Sequence, residues 1–238
     1  MKNVLTLVVL LLVILFTAAP LHAADKPIQL ALFNPVQIFP EKDSIAGLRL
    51  SILYGKNVNM TGLDLGSVTR TTGNFVGVQA SVVGLVDSNM IGVQCGFVPW
   101  TKGSMTGLQA GFATVSDHFE GVQLGFANIA GAMTGLQSGF ANVSGVTDIA
   151  QIGVANITGT MIGLQCGFAD ISGHADGLQL GFANITGMAT GLQIGLVNVT
   201  GTTTRLQIGL VNVIERGGWL PVLPIVNGCS KTDKPITK

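Results

Sequence analysis

Charge is scarce in this 238-residue chain: Lys, Arg, Asp and Glu together make up 10% of it, against roughly 25% in an average soluble domain. Twelve basic and twelve acidic residues cancel. That leaves no positive field for nucleic acid or for an anionic membrane surface, so no nucleic-acid partner is expected. Cysteine is also scarce, and three residues do not build a disulfide framework. After the first twenty residues no uninterrupted apolar stretch is long enough to span a bilayer. Disorder is excluded from the other side, because 47% of the residues are hydrophobic.

What the chain does have is glycine, 33 residues, about twice the usual share of roughly 7%. It also has a leader-like start. Lys2 precedes an apolar run from Val4 to Ala19, Pro20 breaks it, and Leu21-His22-Ala23 offers a small residue before Ala24. This is the pattern of a secretory signal peptide over residues 1–23. No Cys follows the run, so a lipoprotein signal is not expected.

The rest repeats. GLQ or a close variant begins at residues 47, 62, 77, 92, 107, 121, 135, 149, 163, 177, 191 and 205. The first four steps are 15 residues and the last seven are 14. Within a unit, position 2 is Leu or Val except at Ala150. Position 4 holds Cys95, Ala110, Leu124, Ile152, Cys166, Leu180 and Ile194, and position 6 holds Phe97, Phe112, Phe126, Phe140, Phe168 and Phe182. Position 3 is Gln in ten of the twelve units. Such alternation marks a strand with one buried face. The expectation is that 2, 4 and 6 face inward and Gln faces out. Phe126, for example, should be buried in a column with Phe112 and Phe140. Met105, Phe119, Met133 and Met161, two places before the next unit, join positions 9 and 11 in a second inward face. Asn at position 8 (Asn128, Asn142, Asn156, Asn184, Asn198, Asn212) and Gly at position 1 mark the turns.

A unit of 14 residues is too short for a helix plus a strand. It suits one coil of a flattened, all-β parallel β-solenoid of about 12 coils, rising about 4.8 Å each into a rod of about 58 Å. Like charges stacked at that spacing repel by roughly 0.9 kcal/mol even in water, which explains the low charge. Stacked Asn and Gln amides would instead form ladders. The expected layout is an N-terminal cap over 24–46, repeats over 47–214, a C-terminal cap over 215–229 and a polar tail over 230–238. Pro35, the charged Glu41-Lys42-Asp43, Pro221 and Pro224 suit the caps, because open strand edges need blocking. The rival architecture is an outer-membrane β-barrel with one strand per unit, in which 2, 4 and 6 face lipid. Its apolar stripe of about five residues falls short of the 9–11 that a membrane strand needs.

FNPVQIFPEKDSIAGLRLSILYG (residues 33–55), the GLQLGFANI-type units and the closing LPVLPIVN resemble the bacterial surface-repeat proteins over about residues 28–227. The resemblance implies export and a cell-surface, outer-membrane-associated or periplasmic place. It implies no reaction, substrate or catalytic residue.

Candidate chemistry is thin. His118 and His174 share position 12 but lie four coils apart, about 19 Å, too far for a shared metal or a catalytic pair. Glu120, Asp148 and Asp176 share position 14 in alternate coils, about 9–10 Å apart, too far for one calcium ion. Cys95 and Cys166 are expected as small core residues too distant to bridge. Cys229 lies beyond the repeat and leaves an intermolecular disulfide open. Asn142, Asn156, Asn184 and Asn198 match the glycosylation acceptor pattern only because the repeat generates it. Ser116, Ser144, Thr158, Ser172, Thr186 and Thr200 at position 10 would, if outward, suggest an ice-binding face, a minor alternative. The expectation is therefore a non-enzymatic structural or binding protein with no catalytic, cofactor or metal site. Its partner would be an envelope component or a host surface ligand.

Overall fold

The computed structural model describes residues 25–203 and 206–229. The expected signal peptide and polar tail lie outside the described residues. All named elements are strands, and the chain divides into two compact units, Met1–His118 and Phe119–Lys238.

In the first unit, β1 (Lys26–Phe33) pairs antiparallel with the short β2 (Val36–Gln37) and parallel with β3 (Ile45–Asn57). β3, β4 (Met60–Thr71), β5 (Phe75–Val86) and the start of β6 (Met90–Ala189) then stack in parallel. The register is the sequence repeat itself: Gly47 lies opposite Gly62, Gly62 opposite Gly77, and Gly77 opposite Gly92. In the second unit β6 continues. It pairs in parallel with β7 (Leu192–Ile194) and β8 (Val197–Thr203), which pair in parallel with β9 (Leu206–Arg216). Here the step is one 14-residue unit, as in Gln179 opposite Gln193. β10 (Val222–Gly228) turns back antiparallel on β9.

Parallel neighbours one repeat apart define a β-solenoid. An outer-membrane barrel needs antiparallel neighbours throughout, and here antiparallel pairs close only the two ends. The barrel alternative is thereby overturned.

Glycine at position 1 is dictated by the stacking. Gly177 has φ +137°, and a Cβ there would sit 2.1 Å from the carbonyl oxygen of Gly163 in the preceding coil. Ile149 occupies the same place in its unit with φ 104°, a conformation that costs a β-branched residue of order 1–3 kcal/mol.

The facing of the first strand is the reverse of the expectation. Gln at position 3 is fully buried, whereas Phe126 and Phe140 are each 50% exposed and Phe168 58%. Position 9 also points outward, with Ile129, Ile157 and Ile185 exposed, and Gly131 and Gly145 at position 11 are exposed too. Cys95 and Cys166, expected in the core, are half-buried in the outward column 4. Asn at position 8 is not a turn residue but an inward strand residue. The inward places of a 14-residue coil are 3, 8, 10 and 13. The last was foreseen and holds Phe119, Met133 and Met161, with Met60, Phe75, Met90 and Met105 in the equivalent place of the 15-residue coils.

Candidate functional site

The interior is built of hydrogen-bonded columns. In the second unit each Gln Nε2 donates to the Gln Oε1 one coil earlier, from Gln137 to Gln123 through to Gln207 to Gln193, at 2.7–2.9 Å. The Asn column runs the other way. Asn128, Asn142, Asn184 and Asn198 each donate Nδ2 to the Asn Oδ1 one coil later, at 2.7–2.8 Å. Their second N–H bonds a carbonyl of the next coil, as Asn142 does to Ile152 at 2.9 Å. Aligned amide dipoles in one column are thus opposed by those in the other. Gly at position 5 makes the room: a Cβ on Gly153 would lie 2.6 Å from Asn142 Nδ2.

Position 10 completes the network. Ser144 donates to Thr158 at 3.0 Å, Thr186 Oγ1 donates to Gln179 Oε1 at 2.6 Å, and Gln151 Nε2 reaches Ser144 Oγ at 3.1 Å. Ser116, Ser144, Thr158, Ser172, Thr186 and Thr200 are buried, so this column presents nothing to ice. Asn142, Asn156, Asn184 and Asn198 are likewise buried inside the ladder.

Two exceptions in the columns carry charge. In the first unit, position 3 is Arg49 and then Asp64, both fully buried. Arg49 Nε donates to Asp64 Oδ1 at 2.8 Å and Nη2 to Oδ2 at 2.7 Å. Gln79 Nε2 donates to Asp64 Oδ2 at 3.0 Å, Gln94 to Gln79, and Gln109 to Gln94. All these amide N–H groups point toward the N-terminus, so the group at that end has to accept from Gln79. A carboxylate does that, and Arg49, which only donates, neutralises it. Arg49 also bonds the Arg70 carbonyl at 3.1 Å and Thr71 Oγ1 at 3.0 Å.

The second exception is Asp170, at position 8 in the second unit. It accepts from Asn156 Nδ2 at 2.7 Å through Oδ1. Its Oδ2 and Asn184 Oδ1 are buried without a hydrogen-bond partner. Both lie 2.9 Å from the point where a Cβ on Gly181 would stand. Two acceptors therefore meet where the other rungs pair a donor with an acceptor. Burial pushes the Asp170 carboxyl up to about 6, against the opposing bonds from Asn156 and the Gly167 backbone. Sequence reading missed Arg49, Asp64 and Asp170; the available signal was that each breaks an otherwise uniform amide column.

The outside of the second unit is apolar. From Val122 to Leu210 every side chain at positions 2, 4 and 6 is apolar except Ser138. Phe126 stacks on Phe140 with ring centroids 4.9 Å apart, and Phe168 on Phe182 at 4.7 Å. Near the C-terminal end the face dips into an open apolar trough of about 560 Å³ lined by Leu180, Ile194, Leu196, Ile208, Leu210 and Ile225. Glu120, Asp148 and Asp176 stand at position 14, two residues before this face begins in the next coil. No group of three His, Cys, Asp or Glu side chains among the described residues is placed to hold a metal.

No family model, curated protein or solved structure matches the chain.

Proposed function

We propose that this chain is an exported, non-enzymatic protein of the bacterial cell envelope, and that its outward apolar columns are its working surface. The observation that carries the reading is the inversion of the coil: amides inside, and Phe, Leu and Ile outside in a face that Ser138 alone interrupts. A folded protein does not keep a large flat apolar surface without something to cover it. The leader-like start and the resemblance to surface-repeat proteins support the envelope as its place. The role is structural or adhesive, and no residue is assigned a catalytic part.

The test is fractionation of the full-length tagged protein in a bacterial host. The expected result is a shortened chain, cleaved near Ala24, retained in the envelope fraction. Phe140→Lys together with Phe182→Lys should be cleaved equally but released to the soluble fraction. An uncleaved cytosolic chain would sink the export reading, and retention unaffected by the double substitution would sink the role of the face.

A further inference from the structure

We propose that the face formed by positions 2, 4 and 6 of the unit Phe119–Lys238 packs against the same face of a second copy of this chain. The inference rests on the apolar face being the working surface and names what covers it.

Three observations select this occupant. The first is area. Seven coils at about 4.8 Å give a length of about 34 Å, and five strand residues a width of about 17 Å. That is about 580 Å² per copy and about 1,150 Å² for a pair, above the roughly 1,000 Å² that a specific interface needs. The second is period. Phe168 and Phe182 stack at 4.7 Å, so the surface is ridged at the coil spacing. A surface with the same period interdigitates with it along its whole length, as sheets do when they pack face to face about 10 Å apart. The chain itself supplies that period.

The third is charge. Residues that bind a bilayer surface combine an apolar face with Lys and Arg beside it. Beside it in this unit position 14 carries Glu120, Asp148 and Asp176 against Arg205 at position 1, and no cation stands at positions 2, 4 or 6. A neutral, charge-depleted centre is what a protein interface presents. The outward column at position 9 does not qualify. It is a single stripe, with position 7 holding Ala in most units and position 11 usually Gly.

The experiment is sedimentation velocity of the full chain between about 1 and 100 μM, with and without neutral phosphatidylcholine vesicles. The wild type should sediment as a dimer. Phe140→Lys with Phe182→Lys should weaken self-association about 100-fold or more, since central aromatic anchors dominate such interfaces. Ile157→Lys with Ile185→Lys, equally exposed but on the position-9 stripe, should leave it unchanged. Circular dichroism verifies that both variants fold. A wild type that stays monomeric overturns the proposal, as does equal weakening by both variants. A monomer that floats with the vesicles assigns the face to lipid and overturns it too. A monomer whose envelope retention still falls with the face substitutions loses the second copy but keeps the binding role. Retention that ignores those substitutions removes both.

Discussion

The two units solve one problem, how to bury a column of polar side chains, in different ways. The first unit ends its Gln column on the buried pair Arg49–Asp64 and fills another inward place with Met60, Phe75, Met90 and Met105. It also carries outer ion pairs, Arg70–Asp87 and Lys102–Asp87. The second unit runs opposed Gln and Asn ladders, and its inward place shrinks to Thr147, Ala175 and Ala189 in three of its coils. The difference shows what a ladder requires. Each amide inside it satisfies its neighbour at no net cost in unpaired groups, but every end and every substitution leaves something to be matched. In the first unit the end is matched by charge. In the second, Gln207 Oε1 and the Asp170–Asn184 step are left unmatched.

The largest effect is expected where the match is strongest. Arg49→Met would leave Asp64 as a buried, uncompensated carboxylate beneath the column. Breaking such a pair costs about 3–5 kcal/mol, read as a lowered denaturant midpoint. Replacing both, Arg49→Met with Asp64→Gln, should recover most of the loss, because the column then ends on a neutral amide. No recovery in the double variant would mean that the pair serves something other than the end of the ladder.

Next in size is the pH dependence of the second unit. The Asp170 carboxyl titrates near 6 when folded and near its ordinary 3.8 when unfolded. A raised acid binds its proton more tightly in the folded state. Its contribution is therefore complete below about pH 4 and is lost as pH rises through 6. The gap between the two titration points corresponds to roughly 3 kcal/mol. The protonated carboxyl also supplies the donor that Asn184 Oδ1 lacks. Asp170→Asn makes the column uniform, so the variant should be more stable than the wild type at pH 7, with the difference shrinking toward pH 4. A constant difference across that range would contradict the assignment.

A smaller pair of effects tests inside against outside. Gln165→Ala removes one rung and leaves Gln179 Nε2 and Gln151 Oε1 with fewer partners, at a cost of about 2–3 kcal/mol. Phe168→Ala, more than half exposed, loses mainly its stacking on Phe182, about 1 kcal/mol. Reading the sequence with apolar residues inside gives the opposite order. That reading obtained the coil and its register, because Gly62 opposite Gly77 is nothing more than the spacing of the repeat. It failed on the facing because alternation along a strand is symmetrical: Leu-Gln-Leu-Gly-Phe has two faces, and hydrophobicity assigns the apolar one to the core. The barrel alternative had the opposite merit, with positions 2, 4 and 6 correctly outward and the strand pairing wrong. Burying Gln is favourable only when its copies lie directly above and below it, which no single unit displays. The outward apolar face was legible as a stripe but not as a surface until the amide columns had claimed the interior.

The smallest effect concerns the coil in which Ile149 stands in place of glycine at the left-handed corner. Gly135 and Gly163, the position-1 residues on either side of Ile149 in the second unit, have φ +132° and +111°. Ile149 holds φ 104° with a branched Cβ and is 56% exposed. Little burial is lost on removing its side chain, and the backbone strain is relieved. Greater freedom of the unfolded chain offsets part of that gain. Ile149→Gly should therefore raise stability by about 1 kcal/mol, measured as a shift of the denaturant midpoint at unchanged slope. Gly163→Ile, the mirror substitution one coil later, should lower it by more, because a Cβ there meets the carbonyl oxygen of Ile149 at 2.3 Å. If Ile149→Gly destabilised the protein instead, the Ile149 side chain would be in contact with something that covers this corner. The second-copy interface would then have to extend beyond positions 2, 4 and 6.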